Sequence, residues 1–279
     1  MKKSIFQSII LLALIMVLAC LFYLTPDKKS KNSHPASSGS VSYIKPGSGI
    51  GGGDINGNAV AGKKSLPIYC VKHDDSEKCI SISFDAAWGA DDTIEILNTL
   101  DKYNVKATFF MTGGWVDSYP DMVKEICSRG HDLGNHSHNH KQMSKLSASE
   151  QKDEIMYVTD KVKELTGYDV FLFRPPYGDY NSTLINTVYG CNHYPIQWNV
   201  DSLDWRDYGV ENIIKTVTNH KALGNGSIIL MHNGAKYTAK ALGTVIETLQ
   251  SQGYTFIPIS EMIIRDNFHM DGTGRQIAD

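Results

Sequence analysis

From Leu66 onward, short apolar runs alternate with stretches in which apolar positions recur every three or four residues. The runs Ile80 to Phe84, Ala107 to Met111, Asp132 to Asn135, Val170 to Phe173, Tyr194 to Asn199, Ser227 to Met231 and Tyr254 to Ile259 predict strands. Between them, Ile94, Ile96, Leu97 and Leu100 predict a helix with Asp92 or Thr93 near its N-cap. A second helix, through Met122, Val123 and Ile126, ends at Arg129-Gly130. Ser147 with Glu150 forms a capping box opening a helix that runs to Leu165 and stops at Gly167. Further helices fit Ser182 to Tyr189, Val210 to Lys221 and Ala239 to Gln252. Strand and helix alternating about seven times predict a parallel sheet with helical crossovers, open or closed into a barrel. In a barrel of this kind the chemistry sits at the C-terminal ends of the strands.

The first part of the chain follows another pattern. Ile5 to Leu24 are 20 uncharged residues behind Lys2 and Lys3, long enough to span a bilayer core. No small-residue cleavage site follows, so residues 1–24 are expected to be a short cytoplasmic tail and an uncleaved transmembrane anchor. That places the rest of the chain outside the cell membrane. Residues 25–65, rich in Ser, Gly, Lys and Asn, are expected to be a flexible linker. Residues 66–266 form the expected globular domain and 267–279 a C-terminal tail. The net charge of -3 argues against a nucleic-acid binder, and a monomer is expected. Cys70 and Cys79 flank the turn-rich His73-Asp74-Asp75-Ser76; a hairpin there would leave a cross-strand disulfide open to them.

Candidate chemistry gathers where apolar runs end. Between Gly130 and His140 stand four of the chain's ten histidines. On one helical turn His136 and His140 would project from one face toward a single ion, while His131 and His138 do not fit that pair. Asp85 ends one strand and Arg174-Pro175-Pro176-Tyr177 another. Asp201 to Trp205 puts two carboxylates beside an aromatic, and Leu230-Met231-His232 leaves a histidine at a strand end. A buried arginine needs a carboxylate partner, and Asp85 is a candidate for Arg174.

In this order the pieces Ser83-Phe84-Asp85, His136 to His140, Arg174 to Tyr177, Asp201 to Trp205 and Leu230 to His232 resemble the five motifs of the polysaccharide deacetylases (the NodB-homology domain, carbohydrate esterase family 4). The resemblance covers about Leu66 to Ile264. It implies a distorted (β/α) barrel and metal-dependent hydrolysis of N-acetyl groups on an amino-sugar polysaccharide, releasing acetate. The envelope location selects peptidoglycan.

By this resemblance His136 and His140 hold a divalent metal, expected to be zinc. Asp85 is the general base, oriented by Arg174, and His232 is the general acid, its protonated form favoured by Asp204 or Asp201. A backbone N–H at Tyr177 helps to hold the oxyanion. Trp205 and Leu230 shape an acetyl-sized pocket, and Trp88 and Tyr177 stack on sugar faces. One departure matters: where the family usually has a second acidic residue as third metal ligand, this chain has Ala86. Asp91 or Asp92 could take its place, or the third position could go to water. The competing readings are an O-deacetylase on another glycan and a catalytically weak glycan-binding module.

Overall fold

The structure, a computed structural model, describes residues 65–74 and 76–279. The expected anchor, and the linker up to its last residue, lie outside the described residues. Among the described residues no helix is long and apolar enough to cross a membrane.

In chain order, β1 (Cys70–Val71) and β2 (Cys79–Ala86) lead to α1 (Thr93–Lys102) and β3 (Thr108–Met111). Next come α2 (Gly113–Ser118), α3 (Pro120–Ser128), β4 (Asp132–Asn135), α4 (Ala148–Thr166), β5 (Leu172–Phe173), α5 (Ser182–Gly190), β6 (Tyr194–Pro195) and β7 (Val200–Asp201). The chain then continues through α6 (Val210–Thr218), β8 (Ser227–His232), α7 (Thr238–Ser251), β9 (Thr255–Phe256), α8 (Ile259–Met262), β10 (Phe268–Met270) and β11 (Arg275–Ala278). The Ser147–Glu150 capping box forms as expected, and Gly167 closes α4 at φ 76°, a left-handed conformation that glycine adopts without a Cβ penalty.

Strands β8, β2, β3, β4, β5 and β6 lie side by side and parallel. Strand β7 follows β6 in the chain and pairs back onto β8. The parallel run therefore curls into a half-barrel of mixed α/β type. A bridge between Ile68 and Ile196 ties β6 to the segment before β1.

Alternation along the strands separates two cores. Ile80, Ile82, Phe84 and Ala86 of β2, with Phe109, Met111, Ile229 and Met231, face the helices. Phe110, Ile228, Ile196 and Ile68 fill the other face, toward the barrel interior. Ser81, Ser83 and Asp85 share that second face, and Ser83 Oγ donates to Ile229 O at 2.7 Å. Gly134 on β4 is required there, because a Cβ would sit 2.5 Å from the Phe110 ring.

Two expectations change. Strand β8 lies between β1 and β2: Cys70 and Ile80 both register with Ser227. No β1–β2 hairpin exists, two strand spacings of about 4.8 Å separate them, and a disulfide reaches only about 7 Å between Cα atoms. Cys70 and Cys79 are accordingly free thiols. Residues 267–279 are no tail, since β10 and β11 pair with each other and β11 adds to β1. Strands of three or four residues are too short to show a period. Finally, α2 and α8 were not legible as helices, being only six and four residues long.

Candidate active site

Register brings the candidates to one level. Asp85 on β2 is the Cα partner of His232 on β8. Asn135, just before His136, pairs with Phe173, just before Arg174, and Asp201 pairs with Leu230. All lie at the C-terminal ends of parallel strands, where the barrel reading places chemistry.

Arg174, fully buried, enters the barrel interior. Its Nη1 donates to Asp85 Oδ1 at 2.8 Å and to Ser83 Oγ at 2.9 Å, and its Nη2 to Gln197 O at 3.1 Å. The guanidinium also stacks 4.1 Å from the Phe110 ring centre, a contact that suits its planar, weakly hydrated charge. Burial pushes the Asp85 carboxyl up, but the charge and hydrogen bond of Arg174, together with the neighbouring His136 and His232, outweigh it and hold the carboxyl below its usual range. Asp85 Oδ2, not taken by Arg174, lies 3.5 Å from His136 Nε2.

The opposite wall carries a second ion pair. His232 Nδ1 lies 2.7 Å from Asp204 Oδ1, and the His232 backbone N–H donates to Asp204 Oδ2 at 2.7 Å. Thr238 Oγ1 donates to the same oxygen at 2.6 Å. Burial alone would lower the imidazole pKa; the hydrogen bond and charge of Asp204 raise it instead. Asp201 is used elsewhere, accepting the Leu203 N–H, so Asp204 is the carboxylate that meets His232.

His136 and His140 do come together, with ring centres 4.9 Å apart, but not on a helical turn. They sit on a loop in which Ser137 and His140 have positive φ, 65° and 53°. Asn135 Oδ1 accepts the Ser137 N–H and Ser137 Oγ accepts the His140 N–H, which fixes these conformations. The helical spacing predicted that the two rings meet, but a loop and not a helical turn brings them together. His136 Nδ1–H donates to Arg174 O at 2.7 Å, which leaves Nε2 with its lone pair. Burial pushes His136 down to about 4 and lowers His140 as well. Both rings are therefore neutral near pH 7 and suited to bind a cation.

The third donor is missing. Among the described residues no group of three or more His, Cys, Asp or Glu side chains is arranged to hold a metal ion. Ala86 is fully buried against the helices. Asp92 does not fold back toward the histidines. Its Oδ1 accepts the Gly234 N–H at 2.8 Å, and burial raises its pKa. Asp91 joins no such group either. The donor set thus fits a divalent ion through two imidazoles.

Aromatic side chains edge the cleft. Trp88 is 59% exposed and stands 5.8 Å from the His140 ring and 6.2 Å from the His232 ring, spanning both walls. Gly234, at φ 74°, passes beneath it, where a Cβ would come 2.8 Å from Trp88 O. Tyr177, at φ 61°, sets its ring edge-on to His140. Leu230 is buried, whereas Trp205 is 51% exposed under the Arg206 guanidinium. It forms rim rather than the wall of a closed pocket, because the turn Asp204–Arg206 points it outward. His131 lies at the start of β4, far along the strand from the cleft, and takes the Ala107 N–H. His138 stacks on Tyr157. Sequence reasoning assigned no role to Ser83 and Ser137, although both lie within the motifs, and missed Asn135 and Thr238; hydroxyls and an amide carry no signal by type alone.

The polysaccharide deacetylase family model matches residues 72–195. A peptidoglycan-N-acetylglucosamine deacetylase of Bacillus cereus is 34% identical over 193 residues, 67% of this chain and 89% of that protein. The peptidoglycan-N-acetylmuramic acid deacetylase PdaC of Bacillus subtilis is 33% identical over 189 residues, 68% of this chain. The chain spans only 39% of the length of PdaC. Among solved structures, a CE4 family pseudoenzyme from Bacillus anthracis aligns with TM-score 0.67 at 30% identity, covering 72% of this chain and 69% of that one. A mutant of it has restored enzymatic activity. The chain belongs to the polysaccharide deacetylase family.

Proposed function

We propose that this polysaccharide deacetylase removes N-acetyl groups from the amino sugars of peptidoglycan, releasing acetate. The observation that carries the reading is the register pair Asp85–His232. A carboxylate kept ionised by a buried arginine faces an imidazole kept protonatable by a buried carboxylate. These are the two opposed settings that acid–base hydrolysis needs.

His136 and His140 would hold a divalent ion, expected to be zinc, through their unprotonated nitrogens. When bound, such an ion supplies Lewis-acid polarisation of the acetyl carbonyl and acidifies water. Asp85 takes the proton of the attacking water on Oδ2, while Arg174 fixes Oδ1. The Tyr177 N–H supports the oxyanion. His232 then gives its Nε2 proton to the departing amine, with Asp204 stabilising the imidazolium. An amine leaves an amide only when protonated, a demand stronger than that of an ester alkoxide. The Asp204–His232 pair therefore favours N- over O-deacetylation. Trp88 and Tyr177 offer faces for sugar rings.

Acetate release from purified wall fragments, measured with added divalent metal, tests the reading. Asp85→Asn and His232→Ala are each expected to cut turnover about 10²–10⁴-fold. Equal release by both variants and wild type refutes the assignment. A second reading, a glycan-binding domain of little turnover, is supported by the missing third ligand. Wall binding without acetate release, metal present, would select it.

The proposal extends to location: the uncharged run 5–24 tethers the domain to the cell membrane on its outer side. The full chain should pellet with membranes and need detergent for release, whereas a chain beginning at Leu66 should stay in the supernatant. Full chain in the supernatant sinks the tether.

A further inference from the structure

A groove of about 540 Å³ leaves the cleft on the His140 side, lined by His140, Lys141, Gln142, Lys145, Leu146 and Tyr177. No carboxylate lines it, and two acids bonded to neighbouring residues are already engaged. Glu154 accepts Lys141 at 3.0 Å and both the backbone and side-chain N–H groups of Asn139. Asp179 accepts the backbone N–H and the hydroxyl of Ser144 at 2.9 and 2.8 Å. Lys145 is exposed and, among the described residues, has no carboxylate within ion-pair distance.

The turn that presents Lys145 is held from all sides. Met143 is fully buried, Gln151 Nε2 donates to Met143 O and Leu146 O, and Asn181 Nδ2 donates to Ser144 O. A lysine on so fixed a turn keeps its root in place, so less ordering is needed when an anion arrives.

We propose that this groove is a subsite for the sugar next to the one deacetylated, and that Lys145 there meets a carboxylate of the glycan strand. The inference rests on the peptidoglycan reading and sharpens it: the enzyme selects an acidic amino-sugar polymer over a neutral one. In peptidoglycan the carboxylate has two sources, the lactyl ether of muramic acid when no peptide is attached, or the stem peptide when one is.

The test compares full-length wild type, Lys145→Gln and Lys145→Glu, with Lys215→Glu as a charge control. Lys215 is exposed in the last turn of α6, outside the groove. Each is assayed on a neutral chitooligosaccharide, peptide-free glycan strands and peptide-bearing strands, for kcat/KM and, separately, for Kd by calorimetry. An exposed single charge pair gives the Gln variant a loss of about twofold to fivefold on acidic strands; reversal gives roughly fivefold to tenfold. Both losses shrink with added salt, and the chitooligosaccharide values stay within about twofold of wild type by the same reasoning. Loss on peptide-free strands alone names the lactyl carboxylate, and loss on peptide-bearing strands alone names the stem peptide. Equal loss on neutral and acidic substrates, or none on either, overturns the proposal. If wild type releases no acetate from any substrate, the catalytic reading fails, and the Kd values for acidic strands still decide the subsite.

Discussion

Asp204→Asn isolates what the buried carboxylate does for His232. Asp204 is fully buried and accepts the imidazole Nδ1–H, the His232 backbone N–H and the Thr238 hydroxyl. Asparagine keeps one acceptor oxygen for Nδ1 and removes the charge. A hydrogen bond to a charged group contributes about 1.5–3 kcal/mol and a neutral one about 0.5–1.5, so the imidazolium loses roughly 1–1.5 kcal/mol. At about 1.4 kcal/mol per unit, its pKa falls by about one unit. The alkaline limb of kcat/KM for acetate release should move to lower pH by that amount, and an NMR titration of the His232 ring should follow it. The sign of the stability change is fixed too. A folded pKa above the ordinary 6.5 stabilises the fold at pH below 6.5, and this stabilisation disappears as pH rises through the folded value. Charge loss therefore lowers Tm more at mildly acid than at alkaline pH. Asparagine's amide also faces the Thr238 and backbone donors, adding a pH-independent cost of about 1–3 kcal/mol. A lowered Tm with an unmoved alkaline limb and unmoved NMR titration would show that Asp204 is structural and not the positioning partner of the acid.

Arg174→Met should lower stability by about 3–5 kcal/mol, because Asp85 becomes a buried unpaired carboxylate. The variant should also move the acid limb of the rate profile to higher pH, since the charge that depresses the Asp85 pKa is gone; an unmoved limb at reduced Tm would refute the electrostatic role. Asp91→Ala and Asp92→Ala should leave metal affinity unchanged in calorimetric titration, with Asp92→Ala alone costing about 1 kcal/mol for the lost Gly234 hydrogen bond. A strong loss of affinity in either variant names the third ligand. Gly234→Ala, strained at φ 74° and 2.8 Å from Trp88 O, should displace the Trp88 loop, seen as changed tryptophan fluorescence and a raised KM; unchanged values would show that the loop does not depend on it.

Much of this site was readable because a parallel strand ends where its chemistry begins. Apolar runs located the ends of β2 and β8, and Asp85 and His232 stand there as expected. The strands β4 to β7, two to four residues long, give weaker periods, yet the motifs at their ends still marked Arg174 and Asp204. What was hidden depends on contacts between distant parts of the chain. Strand β8 separates β1 from β2 after an excursion of some 150 residues, which no local turn signal reports, so the Cys70–Cys79 hairpin was a false lead. The loop of His136 to His140 looks helical by spacing, but is set by Asn135 and Ser137, which close it through two side-chain bonds. The outward turn of Trp205 follows from Leu203 and Asp207, both left-handed at φ 54° and 56°, and neither residue type announces that conformation.

The charges of the cleft bear on both the missing ligand and the substrate. Asp85 is matched by Arg174 and Asp204 by the His232 imidazole, whose pKa it raises, while burial keeps His136 and His140 neutral. At the strand ends these buried charges are thus paired, and Asp201 adds a further, half-buried carboxylate. Alanine at position 86 offers no carboxylate to set against the two positive charges of a divalent ion held by the two neutral imidazoles. In a partly desolvated site that imbalance weakens the hold on the cation and favours anions nearby. The groove beyond His140 has the same sign, with Glu154 and Asp179 engaged and Lys145 open. An acidic glycan strand would supply the negative charge that Ala86 does not, coupling metal affinity to substrate binding. Metal titration with and without peptide-free glycan strands should then show tighter binding in their presence, and a neutral chitooligosaccharide should give no such gain. Identical metal affinity with acidic and neutral strands would break the link.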